Sequence, residues 1–132
     1  MPKEKILLVD DEPDFIEIVK FFLESNEYEV FSVTNGEEAL KKTVEEKPDL
    51  ILLDIMMPKM DGFTTCQILK SNENTKDIPI IMVTAKGSRE DIAKAARAKA
   101  NSYIMKPFNL IKLVEKIQEA LNHPEFFIVE RA

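Results

Sequence analysis

Leu50-Ile51-Leu52-Leu53-Asp54 is the most apolar run in the chain, and it ends abruptly on a carboxylate. A continuous apolar run of this length with polar flanks reads as a strand buried on both faces, placed centrally in a helix-covered parallel sheet. Three other runs share the form: Ile6-Leu7-Leu8-Val9 leads into Asp10-Asp11, Ile80-Ile81-Met82-Val83 into Thr84, and Tyr103-Ile104-Met105 into Lys106. If the four are parallel, their ends lie on one edge of the sheet, where ligands bind in open α/β structures. Three carboxylates, a hydroxyl and an ammonium then meet in one place, a set suited to a divalent cation and a phosphoryl group.

Helical patterns separate the runs, which is the signature of βαβ units. After Pro13, Phe15, Ile18, Val19 and Phe22 follow helical spacing and predict one core-facing stripe. Tyr28 to Thr34 is β-rich with Val30 and Val33 alternating, a strand nearer an edge. Asn35-Gly36 introduces a helix over Glu37 to Lys47 with Ala39, Leu40 and Val44 as its apolar positions, stopped by Pro48. Pro58 and Asp61-Gly62 form a loop ahead of a helix over Phe63 to Ser71. Ser88 followed by Asp91 is a capping-box pattern opening a fourth helix, anchored only by Ile92 and the alanines 93, 95, 96 and 98. So thin a stripe buries little area, so this helix should move easily. Ser102 to Met105 is the fifth strand, and Leu110, Leu113, Val114, Ile117 and Leu121 mark a last helix.

These five β/α units fill residues 5 to 122, so the expected organisation is one domain over 1–122 and a tail over 123–132. At 132 residues with 45% apolar and 32% charged residues, a core without disulfides or structural zinc is expected. Cys66 is the single cysteine and reads as a small core residue. The N-terminus lacks a signal-peptide pattern and no apolar stretch reaches membrane-span length, so a cytoplasmic protein without membrane contact is expected. The net charge of −6 disfavours general nucleic-acid binding.

Asp10, Asp11 and Asp54 as neighbours would repel, so either one is protonated or a cation neutralises them. Oxygen donors without nearby His or Cys select a hard ion, and few protein ligands with room for water suit Mg²⁺ best. Asp54, alone at the end of the central strand, is the best nucleophile for an aspartyl-phosphate. Lys106 supplies a charge for a carboxylate or phosphoryl oxygen, and Thr84 a hydrogen-bond donor. A Mg²⁺-dependent phosphatase of the haloacid-dehalogenase type also uses an Asp after a strand, but wants a second Asp two residues on, where this chain has Met56.

Leu8-Val9-Asp10-Asp11-Glu12-Pro13, Leu53-Asp54-Ile55-Met56-Met57-Pro58 with Asp61-Gly62, Val83-Thr84-Ala85 and Tyr103-Ile104-Met105-Lys106-Pro107-Phe108 together resemble the receiver domains of two-component response regulators. The resemblance covers nearly the whole chain and implies a flavodoxin-like (β/α)5 fold, strand order 2-1-3-4-5. It also implies that Asp54 accepts phosphate from a histidine kinase or phosphotransfer protein. Asp11, Asp54 and the backbone carbonyl of Met56 would hold Mg²⁺ directly and Asp10 through water. Thr84 and Lys106 would sense the phosphate, Tyr103 would be the switch aromatic, and the Lys106-Pro107 bond would be cis. Met56 and Lys86 occupy positions that tune phosphate lifetime, and neither matches the amide and acid pair of fast-cycling members.

The resemblance implies a switch rather than a turnover enzyme. Its output would leave through the fourth helix, last strand and last helix to a protein partner, with a phosphorylation-dependent homodimer as a further option. The stretch Lys86 to Lys99 holds five cations against two carboxylates in an otherwise acidic chain, which suggests an acidic partner. Lys99 stands where the family usually has glycine, leaving open a different backbone conformation or local strain. Phe126-Phe127-Ile128-Val129 is apolar and is expected to dock on the domain, the alternatives being another chain or a linker.

Overall fold

In the computed structural model, which describes residues 2–57, 59–85 and 89–128, strands and helices alternate strictly. The strands are β1 (Lys5–Val9), β2 (Glu29–Val33), β3 (Leu50–Asp54), β4 (Ile80–Thr84) and β5 (Ser102–Met105). The helices are α1 (Pro13–Ser25), α2 (Gly36–Glu46), α3 (Gly62–Ser71), α4 (Arg89–Arg97) and α5 (Leu110–Asn122). All pairings are parallel and the order is β2-β1-β3-β4-β5, the doubly wound flavodoxin-like arrangement expected from the sequence. Lys86, Ser88 and Val129, like Pro58, lie outside the described residues, so the capping pattern at Ser88 is not addressed.

Strand alternation sorts the core into two layers. Ile6, Leu8, Leu50, Leu52, Ile81, Val83 and Ile104 face α1 and α5, meeting Val19, Leu23, Leu113 and Ile117. Leu7, Val9, Ile51, Leu53, Ile80 and Met82 face the other way, against Ala39, Cys66, Leu69, Ala95 and Ala98. A buried Leu or Ile contributes about 1.5–3 kcal/mol and a methyl about 0.8 kcal/mol. With Ala95 the sole fully buried residue within α4, that helix is the least firmly held.

Two positions of the predicted stripes are corrected. Ile18 is 59% exposed and Val44 63% exposed. Around α1 the inward face centres on Ile16, Val19 and Leu23, which pushes Ile18 to the rim. There Ile18 lines a groove with Phe15, Pro107, Phe108 and Leu110. On α2 the packing runs through Ala39, Leu40 and Thr43, whose hydroxyl donates to the Ala39 carbonyl at 2.7 Å, and Val44 falls one step beyond.

Lys99 takes the left-handed conformation, φ 67°, that a glycine would occupy. Its N–H donates to the Ala96 carbonyl and the Ala100 N–H to the Ala95 carbonyl, both at 3.0 Å, the paired closure of a Schellman motif. The fold therefore keeps the turn and accepts the steric conflict of a Cβ there. Glu27, φ 72°, ends α1 in the same way.

The tail docks on the domain as far as Ile128, whose N–H donates to the Ala100 carbonyl at 3.2 Å. Asn101 is the clasp. Its amide donates to the Pro124 carbonyl at 3.0 Å and the Phe126 carbonyl at 2.9 Å, while its oxygen accepts from the Ile80 N–H at 2.9 Å and Lys70 Nζ at 2.8 Å. Lys70 also donates to the Ile78 carbonyl at 2.8 Å, and burial holds its pKa below the ordinary lysine value.

Two stability outcomes follow from these contacts. Lys99→Gly should stabilise the domain by roughly 1 kcal/mol, because relief of the left-handed strain exceeds the added chain entropy. A lower urea midpoint would contradict it. Asn101→Ala should destabilise by about 2–3 kcal/mol by orphaning buried partners, and hydrogen exchange should quicken at Ile80 and Ile128. Unchanged exchange at both would show that the clasp carries no load.

Candidate functional site: an acidic cluster at the sheet edge

Hydrogen bonds that continue each strand by one residue build the site. The Asp10 N–H donates to the Val33 carbonyl at 3.1 Å, the Ile55 N–H to the Val83 carbonyl at 3.1 Å, and the Lys106 N–H to the Thr84 carbonyl at 2.6 Å. Because Val9 pairs with Leu53, and Asp54 with Val83, Asp10 and Asp54 end side by side. Alternation puts Asp10, Asp54 and Lys106 on the α1/α5 side, and Thr84 and Tyr103 on the α4 side.

Asp10 is buried (1% exposed), Asp54 nearly so (6%), and Asp11 is exposed. One carboxylate oxygen from each lies within 4.8 Å of the others. Asp10 Oδ1 accepts from the Glu12 N–H at 2.9 Å, and Asp54 Oδ1 from the Met56 N–H at 3.2 Å. Burial, then the Asp10 charge, push the Asp54 carboxyl up to about 6, against the pull of Lys106. Lys106 Nζ donates to Asp10 Oδ2 at 3.1 Å and Glu12 Oε1 at 3.2 Å. Burial alone would lower its pKa, but the bond and charge of Asp10 outweigh that and the value is raised.

The structure thus gathers Asp10, Asp11, Asp54 and Lys106, with Thr84 buried beside them at the next strand end. Tyr103 is half-buried against the opposite layer, and Lys106-Pro107 is cis. The Met56 side chain is 75% exposed at the mouth, and Lys86 lies outside the described residues. The sequence reading missed Glu12 and Gly62. Glu12 follows the acidic pair and reaches the same lysine, a link that appears only when β5 is placed against α1. A Cβ on Gly62 would collide with the Asp54 carbonyl and lie 2.9 Å from Ile55 Cα, so only glycine lets α3 start against the loop that carries the site.

A nearly buried carboxylate held beside two others, with a lysine bonded to one of them, is a donor set that suits a hard cation. The sequence matches the response regulator receiver domain family over residues 6–118, and the chain belongs to that family. It is 38% identical over 122 residues to the alkaline phosphatase synthesis transcriptional regulatory protein PhoP of Bacillus subtilis, covering 92% of this chain and 50% of that protein. The DNA-binding dual master transcriptional regulator RpaA of Synechocystis is 36% identical over 121 residues, again 92% of this chain and 50% of that protein. The chain spans about half the length of these curated relatives. Among solved structures, a response regulator receiver domain protein from Methanospirillum hungatei is similar, with TM-score 0.86, 35% identity and coverage of 93% and 97%. Another is the receiver domain of a Pseudomonas aeruginosa sensor histidine kinase with magnesium in its active-site cleft, TM-score 0.85, 30% identity, coverage 91% and 98%.

The raised Asp54 pKa has a thermodynamic sign. Its folded value, about 6, exceeds that of an unfolded Asp, so without divalent cation the proton it holds favours folding at low pH. That contribution is fully present below the unfolded value and is lost as pH rises through about 6. In a chelator, Asp54→Asn should therefore stabilise the domain at about pH 7.5 by on the order of 1 kcal/mol, after allowance for partial solvation. The gain should shrink towards about pH 5; a gain independent of pH would contradict the assignment.

Proposed function

We propose that this chain is a phosphorylation-driven receiver in which Asp54 is the phosphoacceptor. The observation carrying this reading is that Asp54 is nearly buried among like charges at the end of the central strand. Its exit from that conflict is either a proton or a cation, and a bound cation would also neutralise an incoming phosphoryl group. Asp11 and Asp54, with the backbone carbonyl of Met56, would hold Mg²⁺. Asp10, already engaged by the Glu12 N–H and Lys106, would act through water. The all-oxygen donor set fits a hard ion. Bound Mg²⁺ supplies neutralisation of phosphoryl oxygens.

In the transfer, an Asp54 oxygen forms a bond to phosphorus as the bond from phosphorus to a kinase imidazole nitrogen breaks, and the electron pair leaves with that nitrogen. Thr84 and Lys106 would then take phosphoryl oxygens, and Tyr103, on the Thr84 side of the sheet, would change rotamer in response. The donor would be a sensor histidine kinase, a phosphotransfer protein or a small phosphodonor.

The rest of the reading concerns output. The domain would occupy residues 1–122, with 123–132 as a tail, and work in the cytoplasm as a signalling switch rather than a turnover enzyme. No helix among the described residues is long and apolar enough to cross a membrane. The α4-β5-α5 face would meet a downstream protein or a second phosphorylated copy, without direct contact to nucleic acid. Weakly anchored α4 is the element that added charge would bias. Its cations Lys94 and Arg97, in the last turn, favour an acidic partner whose binding weakens with salt.

Incubation with Mg²⁺ and acetyl phosphate should give a single phosphoryl adduct by mass spectrometry, and Asp54→Ala should give none. An undiminished adduct in Asp54→Ala would overturn the reading. Because Met56 has no group to orient a hydrolytic water, the adduct should be long-lived, and Met56→Asn should shorten it. Equal or slower decay in the mutant would dismiss that role for Met56.

A further inference from the structure

We propose that Phe15 is a positioning residue for Lys106: with Glu12, it parks the ammonium on the α1 side of the site, off Asp54. The inference rests on the reading that Lys106 engages a phosphoryl group on Asp54.

Lys106 Nζ stands 4.0 Å from the Phe15 ring centroid, whereas the other cation–ring contacts among the described residues begin at 5.5 Å. At that range the ring's quadrupole attracts the ammonium, and more strongly where water is thinned. The lysine side chain is only 19% exposed. Phe108, two residues beyond Lys106, meets Phe15 edge to face, 5.8 Å between centroids and 89° between planes. The strap that carries Lys106 thus also fixes the plane of the ring that holds its charge. Among the described residues the hydrogen bonds of Nζ go to Asp10 and Glu12, and Asp54 acts on it only through space.

Glu12 is 65% exposed in its side chain, so its ion pair is largely screened. The ring needs no counterion and is not screened by salt in the same way, so it is the more durable part of the park. When Nζ moves to a phosphoryl oxygen it must leave both. Phe15 therefore biases the unphosphorylated arrangement.

The test uses the whole chain and beryllofluoride with Mg²⁺ as the phosphoryl mimic, comparing wild type, Phe15→Leu and Phe15→Tyr. Without the mimic, the Lys106 ε protons in wild type and Phe15→Tyr should show an upfield ring-current shift that is lost in Phe15→Leu. Affinity for beryllofluoride should rise about three- to tenfold in Phe15→Leu and stay at the wild-type value in Phe15→Tyr. Should Phe15→Leu fail to fold, Phe15→Met gives the same non-aromatic comparison. A folded non-aromatic variant whose lysine resonances do not move, or whose affinity is unchanged or weaker, overturns the proposal. If the wild type does not bind beryllofluoride at all, the phosphoacceptor reading fails, and the ring-current comparison alone decides whether Phe15 holds Lys106.

Discussion

Everything at this site depends on three carboxylates being held where they repel one another. Parallel register sets Asp10 beside Asp54, exposed Asp11 follows Asp10 around the bend, and burial of Asp10 and Asp54 leaves little water to screen their charges. Lys106 offsets part of the conflict by bonding to Asp10 and Glu12, while burial and then the Asp10 charge still hold the Asp54 carboxyl up at about 6. A site of this kind is primed for any change that brings positive charge or removes a negative one. The surrounding fold spends its most apolar strand, β3, on keeping the geometry rigid.

The carboxyl edge of the sheet can respond because its neighbours differ in firmness. α1 and α5 bury Val19, Leu23, Leu113 and Ile117, whereas α4 buries Ala95. The α4–β5 turn is also where the tail attaches, through Ala100 and Asn101. The least anchored helix and the docked tail therefore meet at Ala100, whose N–H donates to the Ala95 carbonyl and whose carbonyl accepts from the Ile128 N–H. A displacement of α4 would be felt at both.

Much of this was legible before the fold was seen. Continuous apolar runs alternating with helical patterns point to buried parallel strands, and parallel strands bring their ends to one edge, so Asp10, Asp11, Asp54, Thr84 and Lys106 could be grouped on that condition. Side-chain direction was less legible. Helical spacing offered Ile18 and Val44 to the core, but each sits one step outside the arc that packing selects. The turn at Lys99 could be located without its conformation, since the Schellman closure of α4 uses a left-handed backbone that a residue with a Cβ disfavours. The Lys70–Asn101 clasp and the Phe15–Lys106 contact join residues 31 and 91 positions apart, beyond the reach of any local pattern.

The account stands most directly on the charge state of Asp54. Carbon-detected NMR titration of its carboxyl in a chelator should show a midpoint at about 6, and saturating Mg²⁺ should move that midpoint below the ordinary carboxylate range. An ordinary midpoint in the chelator, unmoved by Mg²⁺, would contradict the claim that crowded, buried charge at this edge drives the site.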